Sequence, residues 1–499
     1  MASLKPLPNN KPRKVSLKPS DFVPPRTKES VQNHGEHGLV LSPTDPTRSA
    51  GYFISIFYTQ GSSQTLHHHR GRFYIYTGTH YQEAEDQEIK SYLYEYLETA
   101  KQTKDKKYVP FEPNRSKVSD VLDALKAKAH LPTNIDLPVW LSDWDEPAHE
   151  VLACQNCLLH LPSGSIIDHT PAFFGYEALP FRYDPDAPPP VEWHQFLDQL
   201  WWNDPASIET LQEWFGYCLT PDTRQQKMLL LVGPKRAGKG TIGRIQRELL
   251  GNGNVCAPTL SSLTTNFGLQ PLIGKRLAIV SDARLSKRVD QSIVAERLLS
   301  ISGEDAMTID RKYGKAWTGT LPTRFMIQTN ELPRIWDASG ALASRFIVLV
   351  LTKSFYGQED TQLSNRLATE LPGILNWAID GWVRLQRRGH FVQPKSSEEM
   401  IRELEYLGSP ILEFIRDRCV TGPQFSISID ELFDAWKHWC QSQGSDHHGT
   451  KATFGRNLRA ALPYIRKRRL QTDGELKGCY EGLKLLARQV SLKPKDFVD

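Results

Sequence analysis

Short apolar runs separate longer amphipathic segments in the middle of the chain. Residues 228–232, 277–280, 325–328 and 346–351 are almost entirely apolar and end at polar residues or glycine. Runs of this length are typical of buried strands. Residues 242–250 have apolar positions at three-to-four spacing, which is typical of a helix. The pattern predicts an α/β core within residues 211–395.

The segment before this core has a mixed pattern. Alternation at Tyr52, Ile54 and Phe57, and again at 73–76, predicts strands, whereas 88–99, 118–129 and 193–200 have helical spacing. We therefore expect an α+β domain at 51–210. Residues 1–50 are rich in Pro, Lys, Ser and Asn and lack apolar periodicity, which predicts a flexible basic tail.

The pattern after the core predicts a smaller domain at 406–486, followed by a tail at 487–499. One helix has Leu432, Phe433, Trp436 and Trp439 on one stripe, and a second has its stripe at 454–462. The basic run 466–469 and an apolar strand around Tyr480 then complete a winged-helix pattern, a DNA-binding architecture.

Composition limits the possible classes of protein. No apolar run approaches the roughly 18 residues that a membrane span needs, so no membrane association is expected. Seven cysteines scattered over 499 residues do not form a disulfide framework, and the amino terminus lacks a secretory pattern. A cytoplasmic protein of a bacterial host cell is expected. The net charge of +4 is too small to indicate nucleic-acid binding by itself.

Two sets of residues have the chemistry of metal ligands. His67, His68 and His69 are consecutive, so on a strand they would point alternately to opposite faces and could not all bind one ion. Cys154, Cys157 and His160 have ligand-like spacing, but no second pair follows to complete four ligands. We expect structural roles for both sets, with a hairpin at 154–161.

The strongest chemical signal follows the first buried strand. A glycine-rich segment leads from this strand into the helix at 242–250, an order that aims backbone amides and a helix amino terminus at phosphates. Lysine reaches the terminal phosphates in such loops, and a hydroxyl is available for Mg²⁺. In this chain Gly240 follows Lys239, so the hydroxyl, on Thr241, stands one position later than usual. The predicted ATP-binding residues are Gly233, Pro234, Lys235, Arg236, Ala237, Gly238, Lys239, Gly240 and Thr241.

Further catalytic candidates stand at the ends of the other buried strands. Asp282, after the second strand, is expected to hold Mg²⁺ with Thr241 or to polarise the attacking water. Asn330, after the third, can bond both the terminal phosphate and that water. Arg345 precedes the last strand, where an arginine enters the neighbouring subunit's site in ring ATPases. Lys239, Asp282, Asn330 and Arg345 form the predicted catalytic set.

In these motifs the chain resembles the superfamily three helicases, a branch of the AAA+ ATPases, and within them the phage and plasmid primase-helicase group related to the poxvirus primase-helicase. Further matching stretches lie at 267–276, 302–313 and 370–377, with weaker ones at 169–171, 183–185 and 211–217. The resemblance implies an AAA+ P-loop ATPase core, a domain at 51–210 that serves as a collar for oligomerisation, a hexameric ring and DNA threaded through its pore. Its pore hairpin corresponds to Arg311, Lys312, Tyr313 and Lys315.

The predicted function is ATP-dependent unwinding during replication of a phage, plasmid or phage satellite, with ATP and Mg²⁺ as cofactors and single-stranded and forked DNA as partners. Because Asp136, Asp143 and Asp145 lack a primase-like context, a separate primase or other replication protein is expected to supply primers. One alternative is an origin-binding initiator that melts DNA locally. A more distant alternative is a small-molecule phosphotransferase, an interpretation favoured by Gly240 and Thr241.

A nine-residue segment occurs twice, at 15–23 and at 490–498, with a difference at one position, where Ser20 corresponds to Lys495. Its recurrence near both ends of a chain without other repeats favours two short docking peptides for the same surface, on a neighbouring subunit or on another replication protein.

Overall fold

The computed structural model describes residues 38–283, 289–312, 316–335, 337, 341–442, 448–472 and 475–486. Contacts divide them into two compact units, one of 38–159 with 166–178, the other of 160–165 with 179–486. The repeated nine-residue segments, Tyr313 and Lys315 lie outside the described residues.

The first unit is a mixed α+β structure. Its core lies among three helices and a small sheet whose strands, in spatial order, are residues 66–69, 72–76 and 81–84. The strand predicted at 52–57 was wrong: residues 46–57 are helical. The Asp45 carboxylate caps this helix at the Arg48 amide, 2.9 Å away, Pro46 occupies its first turn, and Ala50, Phe53 and Ile54 face the core. Residues 38–50, which were predicted to belong to the tail, are instead part of this unit, because Leu39 and Leu41 are also buried; residues 1–37 lie outside the described residues.

The helices of the first unit are α1 (Pro46–Phe57), α2 (Asp86–Glu98) and α3 (Arg115–Lys128). Its strands, with β10 and β11 reaching into 160–165, are β1 (Thr59–Gln60), β2 (Ser63–Gln64), β3 (Leu66–His69), β4 (Arg72–Tyr76), β5 (Tyr81–Ala84), β6 (Lys101–Lys104), β7 (Lys107–Pro110), β8 (Val139–Trp140), β9 (Val151–Ala153), β10 (Leu158–His160), β11 (Ser165–Ile167) and β12 (Phe173–Phe174). The hairpin predicted at 154–161 is confirmed, since the Cys154 amide bonds to the Cys157 carbonyl.

The second unit is built on a five-stranded parallel sheet, which confirms the α/β core. Its strands are β13 (Met228–Val232), β14 (Val255–Cys256), β15 (Leu277–Val280), β18 (Arg324–Thr329) and β19 (Phe346–Val350), in the order β14–β15–β18–β13–β19. β13 is wholly buried because β18 and β19 flank it. The chain therefore changes direction of winding at β13, the position where parallel sheets open a crevice for ligands.

Helices cover this sheet, and two of them precede it in the chain. They are α4 (Val191–Trp201), α5 (Pro205–Tyr217), α6 (Lys239–Leu250), α7 (Gln291–Ser302), α8 (Ala341–Ser344), α9 (Leu363–Thr369), α10 (Leu371–Arg388) and α11 (Glu398–Gly408). A hairpin of β16 (Met307–Ile309) and β17 (Trp317–Gly319) stands between β15 and β18 in the sequence.

α4 and α5 belong to the second unit, so the boundary falls near residue 179, whereas the sequence pattern placed it at 210. Glu370, just before α10, accepts hydrogen bonds from the amides of Glu192 and Trp193 and so caps α4. Glu213 of α5 is buried and bonds Arg384 and Arg388 of α10. These contacts join residues nearly 180 positions apart, which local patterns do not reveal.

The last 80 or so residues of the second unit carry their own core, centred on Phe414, Leu432, Trp436 and Phe454. Three helices and a three-stranded sheet of order β20–β22–β21 surround it. The elements are α12 (Pro410–Arg418), β20 (Cys419–Ser428), α13 (Ile429–Ser442), α14 (Lys451–Ala461), β21 (Arg466–Thr472) and β22 (Glu475–Leu485). Both predicted helices and the strand predicted around Tyr480 are confirmed here, and the basic run 466–469 lies on β21.

Candidate functional site

The glycine-rich loop 233–238 joins the carboxyl end of β13 to the first turn of α6. A Cβ atom on Gly233 would lie 2.4 Å from the Leu351 carbonyl oxygen, so no larger residue fits without displacing the backbone. Gly238 has φ +89° and starts α6 in a conformation that glycine adopts most easily. The loop therefore brings bare backbone amides and a helix amino terminus to one edge of the sheet.

Lys239 is the central charged group of this loop. Its Nζ atom donates to the Gly233 carbonyl at 2.6 Å, the Pro234 carbonyl at 2.7 Å and Asn330 Oδ1 at 3.1 Å. Partial burial lowers the pKa of Lys239 from that of a free lysine. No carboxylate among the described residues pairs with this ammonium group, so the group is suited to an anionic ligand.

Asn330 meets Lys239 because β18 lies directly beside β13 in the sheet. On the same strand, Gln328 Nε2 donates to the Lys239 carbonyl at 3.0 Å. A Cβ on Gly243 would lie 2.3 Å from that Nε2 atom, so glycine at 243 permits α6 to approach the sheet. The structure thus brings together the predicted loop, Lys239 and Asn330.

A cavity of about 910 Å³ opens in front of the loop. Its lining includes the whole of 235–241, Ser281, Gln328 and Asn330. The amino-terminal half of α4 forms one wall through Glu192, Gln195, Phe196 and Gln199, and the segment 355–366 forms another. Sequence reasoning missed both walls.

Salt bridges and hydrogen bonds fasten these walls to the loop. Arg366 bonds Glu192 of α4 and Asp360, each at 2.7 Å, and Arg236 lies 3.3 Å from Glu359. The bonds to Asp360 and Glu192 raise the pKa of Arg366 further above its usual value. The Phe355 amide donates to the Arg236 carbonyl at 3.0 Å. The carboxylates of the cavity lining are therefore paired with arginine: Glu359 with Arg236, and Glu192 and Asp360 with Arg366.

Thr241 lies at the cavity, but its hydroxyl is engaged. Arg244, one turn later on α6, donates from Nη2 to Thr241 Oγ1 at 3.1 Å and from Nε to Ser364 Oγ at 3.1 Å. Asp282 is exposed beyond the end of β15 and is not part of the lining, whereas its neighbour Ser281 is. The structure therefore does not bring the two predicted Mg²⁺ ligands together around one point of the cavity.

Arg345 lies at the amino-terminal ends of the parallel strands, whereas the glycine-rich loop lies at their carboxyl ends. Its carbonyl accepts from the amide of Met228, the first residue of β13, and its guanidinium donates to Gln226. β13 spans five residues, so Arg345 is separated by roughly 15 Å from the loop at the other end of that strand. It is not part of the cavity lining of its own chain.

The histidines of the first unit, for which a structural role was predicted, lie in a packed aromatic environment. His67 and His69 are buried among aromatic rings, with His69 facing Phe174 and His67 facing both Phe174 and Tyr81. Within the part of the chain that the structure describes, no three His, Cys, Asp or Glu side chains are grouped to hold a metal ion. Nor does any helix of that part have the length and apolar character needed to span a bilayer.

The fold and site thus define a mixed α/β protein with a glycine-rich loop and Lys239 at the switch point of a parallel sheet. Three regions match known families: 57–202 the family described as D5 N terminal like, 231–345 a Family of unknown function (DUF5906), and 409–487 the RFX DNA-binding domain. The Xenopus laevis DNA-binding protein RFX7 is 30% identical over 105 residues, which are 21% of this chain and 7% of that protein. The chain therefore spans only a small part of this relative's length.

Solved structures with similarity across most of the chain are those of the NrS-1 C terminal region. One apo structure is 13% identical, with a TM-score of 0.49, and the match covers 88% of this chain and 99% of that one. The A form apo structure is 14% identical, with a TM-score of 0.45 and coverage of 84% and 95%.

Proposed function

We propose that the chain is an ATP-dependent DNA helicase for the replication of a phage, plasmid or phage satellite, acting as a hexameric ring on single-stranded DNA. The observation that carries the proposal is the position of Lys239 and Arg345 at opposite edges of one sheet. A subunit with this geometry cannot complete its own ATP site with Arg345, whereas a neighbour in a ring can supply that arginine.

The loop 233–241 is proposed to be a P-loop in an AAA+ core. The strand order β14–β15–β18–β13–β19, with β13 central, supports this assignment together with the positions of Lys239 and Asn330. On binding of a triphosphate, the Lys239 ammonium group would exchange two backbone carbonyls for phosphate oxygens. Asn330, already within hydrogen-bond distance of Lys239, would then orient the attacking water.

The residues present fit ATP better than they fit a protein-bound metal ion. Gly233 and Gly238 let the loop backbone pack closely against Leu351 and Phe196, and Lys239 has no carboxylate partner among the described residues. Thr241 and Asp282, by contrast, do not converge. We therefore propose that Mg²⁺ is a cofactor that enters the site bound to the phosphates of ATP. Thr241 and Asp282 are not proposed to bind it directly.

Two regions are proposed to bind DNA. Arg311 and Lys312 stand at the end of the β16–β17 hairpin, the position expected of a pore loop. The region 409–486 has the element order helix, strand, helix, helix, strand, strand, and it matches the RFX DNA-binding domain. Both observations support a winged-helix domain. The D5 N terminal like match at 57–202 supports a replication protein of the phage primase-helicase type.

Strand displacement on forked and blunt duplexes tests the proposal. A helicase should unwind forked DNA with ATP and leave blunt duplex intact. The match to the RFX DNA-binding domain favours one second candidate, an initiator that melts a particular duplex sequence. Melting of one blunt origin duplex without unwinding of forks would favour the initiator, and ATP hydrolysis indifferent to any DNA would contradict both.

The hairpin assignment predicts a separation of activities. Arg311→Ala combined with Lys312→Ala should keep DNA-independent ATP hydrolysis within about twofold and lose at least about tenfold in unwinding, because each removed cation is a lost phosphate contact. Lys395→Ala combined with Arg402→Ala removes two exposed cations elsewhere and should unwind normally. Normal unwinding by the hairpin variant would remove these residues from the pore.

A further inference from the structure

The first unit has an exposed ribbon formed by β6 and β7 alone. The two strands pair with each other, and only the backbone of Lys101 connects them to residues 39–41. Asp105 and Lys106 form the turn with φ values of 50° and 61°, the left-handed conformation found in tight two-residue hairpins. Such a ribbon packs little apolar surface, so its sequence is free to serve another purpose.

The ribbon has an unusual concentration of positive charge. Lys101, Lys104, Lys106 and Lys107 are all exposed, and with Asp105 they give residues 101–110 a net charge of +3. Lys104 and Lys107 are directly opposed in the strand register. Like charges so placed destabilise a hairpin, and none of the four lysines has an ion-pair partner among the described residues. A bound polyanion would relieve this repulsion.

An aromatic ring accompanies these cations. Tyr108 is 50% exposed and lies opposite Thr103, on the face of the ribbon that also carries Lys101. Lysines beside an exposed aromatic ring are the combination that binds unpaired nucleotides, since the ring stacks on a base and the cations contact the backbone. A paired duplex hides its base faces and would leave Tyr108 unused.

We propose that the β6–β7 ribbon is a single-stranded DNA binding surface, with Lys101 and the turn residue Lys106 on phosphates and Tyr108 stacked on a base. The proposal depends on the proposed function only for the choice of DNA. It does not involve the ATP site, so the two can fail independently.

The test is fluorescence anisotropy of an oligothymidylate bound to the full chain at several salt concentrations. Lys101→Gln and Lys106→Gln together should lower the slope of log affinity against log salt by about 1.4, at about 0.7 per contact. Tyr108→Ala should weaken binding about 5- to 100-fold. ATP hydrolysis without DNA should stay unchanged in both.

Matched controls exist in the same unit. Lys90→Gln with Lys128→Gln removes two helix lysines, and Tyr94→Ala removes another exposed tyrosine of α2. Unchanged slope and affinity in the ribbon variants would overturn the proposal, as would equal losses in the controls. A loss confined to duplex DNA would also overturn it, because stacking on an unpaired base would then play no part.

A second inference comes from Arg244 and deepens the proposed ATP site. Arg236 and Arg366 have carboxylate partners in the cavity, but the two side-chain acceptors of Arg244 are hydroxyls, Thr241 and Ser364. Its Nη1 atom also lies 3.7 Å from the position that a Cβ on Gly240 would occupy, so the guanidinium lies beside the loop backbone. Arg244 is thus the arginine of the cavity lining without a carboxylate partner among the described residues.

We infer that Arg244 is a phosphate-binding residue of the same subunit. A guanidinium that donates to Thr241 Oγ1 repels a metal ion from that oxygen, whereas triphosphate oxygens would attract both Arg244 and the Thr241 hydroxyl. The Thr241 hydroxyl, which stands one position later than in the usual loop, would then contact phosphate together with Arg244 and would not bind a metal ion.

Titration of a fluorescent ATP analogue, in EDTA and in Mg²⁺, tests this role. Arg244→Gln should weaken binding about 10- to 100-fold in both buffers, the size of a lost charge-assisted bond, and Arg244→Lys should recover part of it. Arg247→Gln, one turn further along α6, should bind normally. If Lys239→Ala weakens nucleotide binding and Arg244→Gln does not, the role of Arg244 is overturned. If both Lys239→Ala and Arg244→Gln bind the nucleotide tightly, the proposed ATP site itself is contradicted.

Discussion

At the scale of single residues, the site depends on groups whose surroundings differ from water. Lys239 is held by two backbone carbonyls and Asn330, and His67 is 7% exposed among aromatic rings. In both cases burial disfavours the charged form, and the two residues differ in whether a ligand can restore that charge. Lys239 faces a cavity that admits an anion, whereas His67 faces the core of the first unit.

Lys239→Ala is expected to abolish ATP turnover, with a loss of at least about 100-fold, because the cation nearest the proposed phosphates is gone. Phosphate release under excess ATP measures it. Arg247→Ala on the same helix should retain full turnover. Appreciable hydrolysis by Lys239→Ala would contradict the loop assignment.

His67 should make the first unit sensitive to acid. Burial lowers the pKa of His67 to about 4, against the ordinary 6.5, so the unfolded chain binds the proton first as the pH falls. The stabilising effect of the neutral imidazole is therefore present above pH 6.5 and is lost between about pH 6.5 and 4, amounting to about 3 kcal/mol. Melting temperature against pH for wild type and His67→Gln measures it.

In that comparison, the His67→Gln curve should be flatter through the acid window, whatever its absolute stability. His149→Gln alters an exposed histidine and should keep the wild-type shape. Parallel curves for wild type and His67→Gln would show that His67 does not cause the acid loss.

At the scale of elements, close helix packing positions the site. A Cβ on Gly216 of α5 would lie 2.3 Å from the Ala378 carbonyl oxygen of α10, and one on Gly381 of α10 would lie 2.4 Å from the Gln212 carbonyl oxygen. The two helices therefore approach backbone to backbone. Because Glu370, at the start of α10, caps α4, this packing also fixes the helix that walls the cavity.

Gly216→Ala should destabilise the second unit by about 2 to 3 kcal/mol, since the added methyl group meets backbone that cannot rotate away. Urea unfolding measures the change. At Gly408 the nearest atom to an added methyl group would be 3.5 Å away, so Gly408→Ala should change stability by less than about 1 kcal/mol. If Gly216→Ala and Gly408→Ala change the free energy of unfolding equally, the close approach of α5 and α10 does not contribute to stability.

At the scale of the whole molecule, the proposed ring requires each ATP site to be shared between two copies of the chain. Arg345 lies at the amino edge of the sheet and the loop at the carboxyl edge, so neither can serve the other within one subunit. Arg345→Ala should therefore bind ATP normally and lose about 10³-fold or more in hydrolysis.

Mixing inactive subunits tests this sharing directly. Lys239→Ala supplies an intact arginine and Arg345→Ala an intact loop, so a mixture should regain part of the wild-type ATP hydrolysis at their shared interfaces. Each variant alone should remain inactive. A mixture as inactive as its components, in rings of confirmed mixed composition, would place Arg345 outside the catalytic site.

The sequence by itself determined the strands of the core, the loop from Gly233 to Thr241 and the helices of the last 80 residues, because these depend on short runs of apolar or glycine residues. It misjudged 52–57, where three residues fit alternation by chance while the capping residue Asp45 and the full apolar spacing specify a helix.

Only the tertiary structure decided what surrounds the loop. The walls from α4 and from 355–366, the engagement of Thr241 by Arg244, and the separation of Arg345 from the cavity all depend on contacts between residues far apart in the chain. Local periodicity reports which face of an element is buried and does not report which element covers it. The partners in these contacts are set by how the helices pack against one parallel sheet.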